Sequence, residues 1–209
     1  MIALHNPHVR VTVVDRDQKR IDAWKSKHLP IHEPGLSDVV RAARDGQHVS
    51  SRNGSNGARS PNLFFSTACI ESIAEADMVL ISVNTPTKQR GQGAGRATDM
   101  TAFEGAVRDV AAHAKNGCIL VEKSTVPCKT GQLIKDIMEE ARPGQSFPVL
   151  SNPEFLSEGT AIRDLMRPDR VIIGCESTLP GHRAAAALAR LYAAWVSIWA
   201  SLDHIPRSS

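Results

Sequence analysis

The chain has 209 residues, 42% of them hydrophobic and 22% charged, with a formal net charge of +3. That is the size and balance of one soluble domain with at most a small appendage. The basic residues are dispersed, which argues against nucleic acid as a partner, and no apolar run approaches the roughly 18–20 residues of a membrane span. The N-terminus lacks the charged-then-apolar pattern of a signal peptide, so the expected location is cytoplasmic.

Strand-like and helix-like stretches alternate along the chain. Val9–Asp15 reads as a buried strand ending in a carboxylate, followed by a helix from Asp17 to Trp24. After Pro30 and Pro34-Gly35 a short helix spans Leu36–Ala43, and residues 46–62 are rich in Gly, Ser and Asn, as flexible loops are. Leu63–Thr67 (strand), Ile70–Ala76 (helix) and Met78–Val83 (strand) come next. A glycine-rich loop from Gln89 to Ala97 precedes a helix that starts at Thr98 or Asp99 and runs to about Lys115, with Gly117 closing it. Cys118–Lys123 is a strand, Pro127–Ala141 a helix, Phe147–Leu150 a strand, Arg170–Gly174 a final strand, and Pro180–Trp195 an Ala-rich helix. Strands alternating with helices predict an α/β fold: a Rossmann-type, doubly wound parallel sheet.

Polar residues follow these strands at once. In open α/β sheets ligands bind beyond the carboxyl ends of the strands, so each such stretch is a site candidate. Asp15 is placed to hydrogen-bond a ribose hydroxyl, with Arg20 one helical turn on; the alternative is a helix N-cap. Ser82-Val83-Asn84-Thr85-Pro86-Thr87 presents hydroxyls and backbone N–H groups suited to phosphate or ribose, or it is an ordinary Asn-Thr-Pro turn. Glu122-Lys123-Ser124-Thr125-Val126-Pro127 repeats the pattern, with Pro opening the next helix. In Asn152-Pro153-Glu154-Phe155-Leu156-Ser157-Glu158, a coiled segment puts Glu154 and Glu158 on one face, as a site or as a solvated surface helix.

Metal chemistry is not expected. Cys69, Cys118, Cys128 and Cys175 form no Cys-x-x-Cys pair, and the histidine pairs His5/His8 and His28/His32 lack companion ligands. Cys118 and Cys175 read as small buried residues, whereas Cys128 follows a Thr-Val-Pro turn that could bring it near a site.

Together, Val11–Asp15, Leu29–Leu36, Ile81–Lys88, Glu122–Pro127 and Asn152–Ile162 make the chain resemble the UDP-glucose/GDP-mannose dehydrogenase family, from about Val9 to Val196. The resemblance implies an NAD-dependent oxidoreductase, homo-oligomeric in the family, that oxidises the C6 hydroxyl of UDP-glucose to give UDP-glucuronate. Two NAD+ are used, through a thioester on a cysteine. It implies cofactor contacts from Asp15, Arg20, Val83, Asn84, Thr85, Pro86, Thr87, Ser124, Thr125 and Glu158. Glu154 takes the acid/base role with Thr125 ordering a water, and Glu154, Phe155, Leu156, Ser157 and Glu158 touch the sugar nucleotide.

The chain also departs from that family. The family's first strand and Gly-x-Gly-x-x-Gly turn have no counterpart, so residues 1–196 are expected to form an NAD-binding domain lacking its central strand, between Val9–Asp15 and Met78–Val83. The family's lysine, asparagine and nucleophilic cysteine are unmatched, residues 197–209 form an unrelated tail, and 46–62 is longer than the family pattern. These departures point to a fragment, a spliced product or an imperfect gene model, inactive alone. Two further readings stay open: a non-catalytic polypeptide that associates with the full-length enzyme, and a GDP-mannose or other sugar-nucleotide substrate.

Overall fold

A computed structural model describes residues 1–46, 59–92, 94–124 and 130–197. In chain order the elements are α1 (Ile2–His5), β1 (Val11–Val14), α2 (Gln18–Lys25), α3 (Leu36–Asp45), β2 (Leu63–Ser66), α4 (Cys69–Glu75), β3 (Met78–Ile81), α5 (Thr101–His113), β4 (Ile119–Glu122), α6 (Thr130–Ala141), β5 (Val149–Ser151), α7 (Ala161–Met166) and α8 (Leu179–Ala193). The long loop expected at 46–62 lies mostly outside the described residues.

Among the described residues the five strands pair in parallel, in two separate sheets. β1 lies beside β2, with Val11 opposite Leu63 and Val14 opposite Ser66. The second sheet has the order β3-β4-β5, and its last full rung aligns Ile81, Glu122 and Ser151. Among the described residues no ladder joins β1 to β3, which is the break expected between those two strands.

The β3-β4-β5 sheet is covered on both faces, which explains why its strands are unbroken apolar runs rather than alternating ones. Leu120 and Val149 face a core with Phe103, Val107 and Val110 of α5 and Ile134 and Ile137 of α6. Val121 and Leu150, the next residues along, face Ala184, Leu188 and Tyr192 of α8. A smaller core under β2 joins Ile21, Val40 and Phe65, with Trp24 stacked on Phe65 at 5.5 Å between ring centroids.

Side chains tie the two sheets together. Arg16 after β1 pairs with Asp109 of α5, and His5 of α1 stacks on Trp195 beyond α8 at 5.1 Å. Glu33 reaches the start of α7, accepting from the Gly159 N–H at 3.0 Å and the Ala161 N–H at 2.8 Å. This carboxylate accepts the open Ala161 donor of the first turn and the Gly159 N–H just before the cap, at the end where negative charge is favoured. Gly35 follows in the left-handed region (φ 82°), and a Cβ there would stand 3.3 Å from Ile162 Cγ2, so a side chain at 35 would crowd the same junction.

Three expectations need correction. Arg170–Gly174 is not a strand; it makes one antiparallel bridge, with Ser151 and Gly174 exchanging bonds of 2.9 and 2.7 Å. The ladder stops because Pro153, opposite Ile172, has no N–H to give, and the Asn152 side chain takes that carbonyl instead, donating from Nδ2 to Ile172 O at 2.7 Å. Residues 152–157 do not coil, so Glu154 and Glu158 share no helical face. Gly117 (φ 80°) sits in the turn into β4, and α5 already ends at His113 with an extended Ala114 cap.

Replacing Glu33 with Ala should lower unfolding free energy by about 1 kcal/mol, as for loss of a capping side chain. Glu33→Gln, which keeps the acceptor oxygen but not the charge, should cost less. Urea unfolding of the two variants checks the order.

Candidate active site

The last rung of the three-stranded sheet positions the site. Because Ile81, Glu122 and Ser151 are in register, the residues that follow them leave the sheet side by side. Ser124 joins the first two exits. Its backbone N–H bonds Ile81 O at 3.2 Å, its hydroxyl accepts from the Val83 N–H at 3.0 Å, and it lies 2.9 Å from Val83 O as a donor. A small hydroxyl residue is needed here, because it donates and accepts within the width of one strand spacing.

Beyond this clamp is a cavity of about 240 Å³ lined by Ser82, Val83, Asn84, Thr85, Ser124 and Glu154. The predicted cofactor residues Val83, Asn84, Thr85 and Ser124 and the predicted acid/base residue Glu154 thus come together. Pro86 and Thr87 do not line the cavity. Pro86 O accepts from the Asp99 N–H at 2.7 Å, and Thr87 bridges to Thr98, so both hold the base of the glycine-rich loop. Thr125 and Cys128 lie outside the described residues.

Glu154 is held by a residue that the sequence reading passed over. Lys123 Nζ lies 3.5 Å from Glu154 Oε2, with the lysine side chain 16% exposed and the glutamate 33%. At that length the contact is an ion pair rather than a short hydrogen bond, and the buried Oε2 accepts no hydrogen bond among the described residues. Burial holds the Lys123 ammonium below the usual lysine range, and the Glu154 charge opposes that shift. Glu122, one residue earlier, is buried, which pushes its carboxyl up. In-register strand ends were the available signal for Lys123, since it stands one residue past the rung that also sets Ser82 and Asn152.

The remaining predicted contacts run outward from the cavity. Phe155, Leu156, Ser157 and Glu158 are all exposed, Phe155 at 52%. Arg170 covers the Phe155 ring at 4.6 Å, a cation–π contact that adds a second unpredicted residue. Glu158 is not a wall of the cavity.

Asp15 forms the separate site at the end of β1. It is not the N-cap of α2; Asp17 is, accepting from the Lys19 N–H at 2.9 Å and the Arg20 N–H at 3.3 Å. Asp15 instead accepts from the Asp17 N–H at 2.9 Å and from the Arg20 guanidinium at 2.5 Å. Burial alone would raise its carboxyl, but the Asp17 amide and Arg20 outweigh it and hold the group below the usual carboxylate range. The half-buried carboxylate is therefore ionised and supplies only acceptor oxygens, the set a ribose diol needs. Among the described residues no cluster of His, Cys, Asp and Glu could hold a metal, and no helix is long and apolar enough to cross a membrane.

Because the folded value of Asp15 is depressed, its stabilising contribution is complete above the unfolded aspartate value of about 3.9 and is lost as pH falls through the lower folded value. Thermal unfolding of the chain between about pH 2 and 5 should show this loss, and Asp15→Asn should flatten it.

Known proteins resemble this chain over most of its length. Residues 1–196 match the model of the UDP-glucose/GDP-mannose dehydrogenase family, NAD binding domain. UDP-glucose 6-dehydrogenase 3 of Oryza sativa subsp. japonica is 49% identical over 196 residues, 94% of this chain and 38% of the relative. UDP-glucose 6-dehydrogenase 1 of Arabidopsis thaliana is 47% identical over 198 residues, 95% of this chain and 38% of the relative. Among solved structures, a UDP-glucose dehydrogenase from the hyperthermophilic archaeon Pyrobaculum islandicum superposes with a TM-score of 0.72 at 30% identity, over 93% of this chain and 40% of that one. A GDP-mannose dehydrogenase from Pseudomonas aeruginosa shares the fold at a TM-score of 0.73 and 24% identity, over 92% of this chain and 40% of that one. The chain therefore spans about two-fifths of the length of these relatives. With a parallel sheet wound on both faces and the match covering residues 1–196, the chain belongs to the UDP-glucose/GDP-mannose dehydrogenase family and carries its NAD-binding domain.

Proposed function

We propose that the chain supplies the cofactor half and the acid/base carboxylate of an NAD-dependent oxidation of UDP-glucose to UDP-glucuronate. The observation that carries this reading is Glu154 in the wall of the cavity formed by Ser82–Thr85 and Ser124.

The residues present suit NAD at two places. Asp15, with Arg20 beside it, offers acceptor oxygens to the hydroxyls of the adenosine ribose, and a carboxylate there disfavours the extra phosphate of NADP. Val83, Asn84 and Thr85, clamped by Ser124, supply backbone and hydroxyl groups toward the pyrophosphate and nicotinamide side, with Pro86 and Thr87 fixing the loop behind them. Bound NAD+ would accept hydride from the substrate carbon.

Glu154 takes the proton from the reacting hydroxyl or water, because its side chain stands in the cavity wall. Thr125 orders that water, and Phe155, Leu156, Ser157 and Glu158 contact the sugar nucleotide, with Glu158 reaching the cofactor. The family's thioester route needs a thiol, and none of Cys69, Cys118 and Cys175 lines the cavity. Turnover then requires a nucleophile that the described residues do not provide.

Saturation-transfer NMR on the purified chain should therefore show NAD+ contact at the adenosine ribose. Asp15→Ala should weaken it about tenfold, the usual cost of losing a charged hydrogen bond. Mixing the chain with UDP-glucose and NAD+ should give no UDP-glucuronate. UDP-glucuronate formation would overturn the expectation that the chain is inactive alone, and absence of any NAD+ contact would overturn the cofactor reading.

A further inference from the structure

We propose that Lys123 is a positioning residue for Glu154: its ammonium, fixed from α8 through Asn152, holds the carboxylate in the cavity wall. This rests on the reading of Glu154 as the proton acceptor.

The contacts form a chain from the helix layer to the cavity. Tyr192 of α8, only 7% exposed, donates its hydroxyl to Asn152 Oδ1 at 2.7 Å. Asn152, 1% exposed, donates from Nδ2 to Ile172 O at 2.7 Å. With a donor on its oxygen and an acceptor on its nitrogen, the amide cannot turn over without losing both bonds, so Oδ1 is fixed toward β4. Lys123 Nζ stands 3.5 Å from that oxygen and 3.5 Å from Glu154 Oε2. A lysine ammonium offers three rotatable donors, so one head group can serve a carbonyl and a carboxylate at once.

No other cation among the described residues comes within ion-pair distance of Glu154. The remaining titratable and charged groups around the pair are Glu122, the preceding residue of β4, the Tyr192 hydroxyl, which burial holds neutral, and Arg170, engaged on the Phe155 ring. Lys123 is therefore the charge that compensates a carboxylate oxygen which is buried and accepts no hydrogen bond among the described residues. A lysine that only packed its stem on apolar surface would send its head group to water, and here the head group is the part held in place.

The test follows the pH titration of the Lys123 side chain by 13Cε NMR in the purified chain, without cofactor or substrate. In Glu154→Gln, a near-isosteric change that removes the charge, the Lys123 midpoint should fall by about one pH unit or more, the usual effect of losing an opposite charge at this distance. Glu154→Asp should restore part of it. The fall measures the strength of the Lys123–Glu154 pair that holds the carboxylate in place. An unchanged midpoint in Glu154→Gln, with a native backbone amide spectrum, would overturn the proposal. Because nothing binds during this measurement, its failure leaves the NAD+ contact experiment intact, and a failed NAD+ experiment leaves the pair intact.

Discussion

The rung that aligns Ile81, Glu122 and Ser151 is the constraint on which the rest of the site depends. Parallel pairing makes three chain exits leave the sheet at one level. Residues far apart in sequence, Ser82, Lys123 and Asn152, are brought to neighbouring positions by backbone hydrogen bonds alone. The site then needs only short side chains to close it: the Ser124 hydroxyl across β3 and β4, and the Asn152 amide across to Ile172. Glu154 lies two residues past Asn152, close enough to be governed by the same framework.

The apolar cores on the two faces of that sheet make the rung rigid. Leu120 and Val121 are both fully buried yet face opposite ways, one against α5 and α6 and the other against α8. Tyr192 belongs to the second core and also reaches Asn152. Packing on one face is therefore connected directly to the polar groups at the sheet edge. The β1–β2 sheet is attached differently, through Arg16–Asp109, His5–Trp195 and the Glu33 carboxylate at α7. Asp15 is carried on this second piece, so the distance between the ribose end and the Glu154 end of the proposed cofactor site depends on those side-chain ties rather than on a continuous ladder.

Most of the architecture was legible in the sequence because strands buried on both faces leave unmistakable runs, such as Met78–Ile81 and Ile119–Val121. The Arg170–Gly174 run has the same composition but is not a strand, since whether an extended segment pairs depends on which groups its neighbour leaves free, and Asn152 takes the Ile172 carbonyl. Glu154 and Asp15 were legible as carboxylates directly after strands. Their partners were not equally so. Arg20 is one turn away in sequence, whereas the roles of Lys123 with Glu154 and of Glu33 with Gly159 and Ala161 arise only when distant segments meet. The spacing of four between Glu154 and Glu158 puts them on one face only of a coiled segment, but Pro153 and the exit from β5 keep residues 152–157 out of a helix, and a turn at 158–160 precedes α7 at Ala161.

The most direct measurement of the central claim is a map of backbone amide shifts on adding NAD+ to the 15N-labelled chain. The account predicts that Asp15, Arg20, Ser82 to Thr85 and Ser124 move together with one binding curve. Shifts confined to other surfaces, such as the Arg108–Glu140 face of α5 and α6, or no shifts at all, would contradict it.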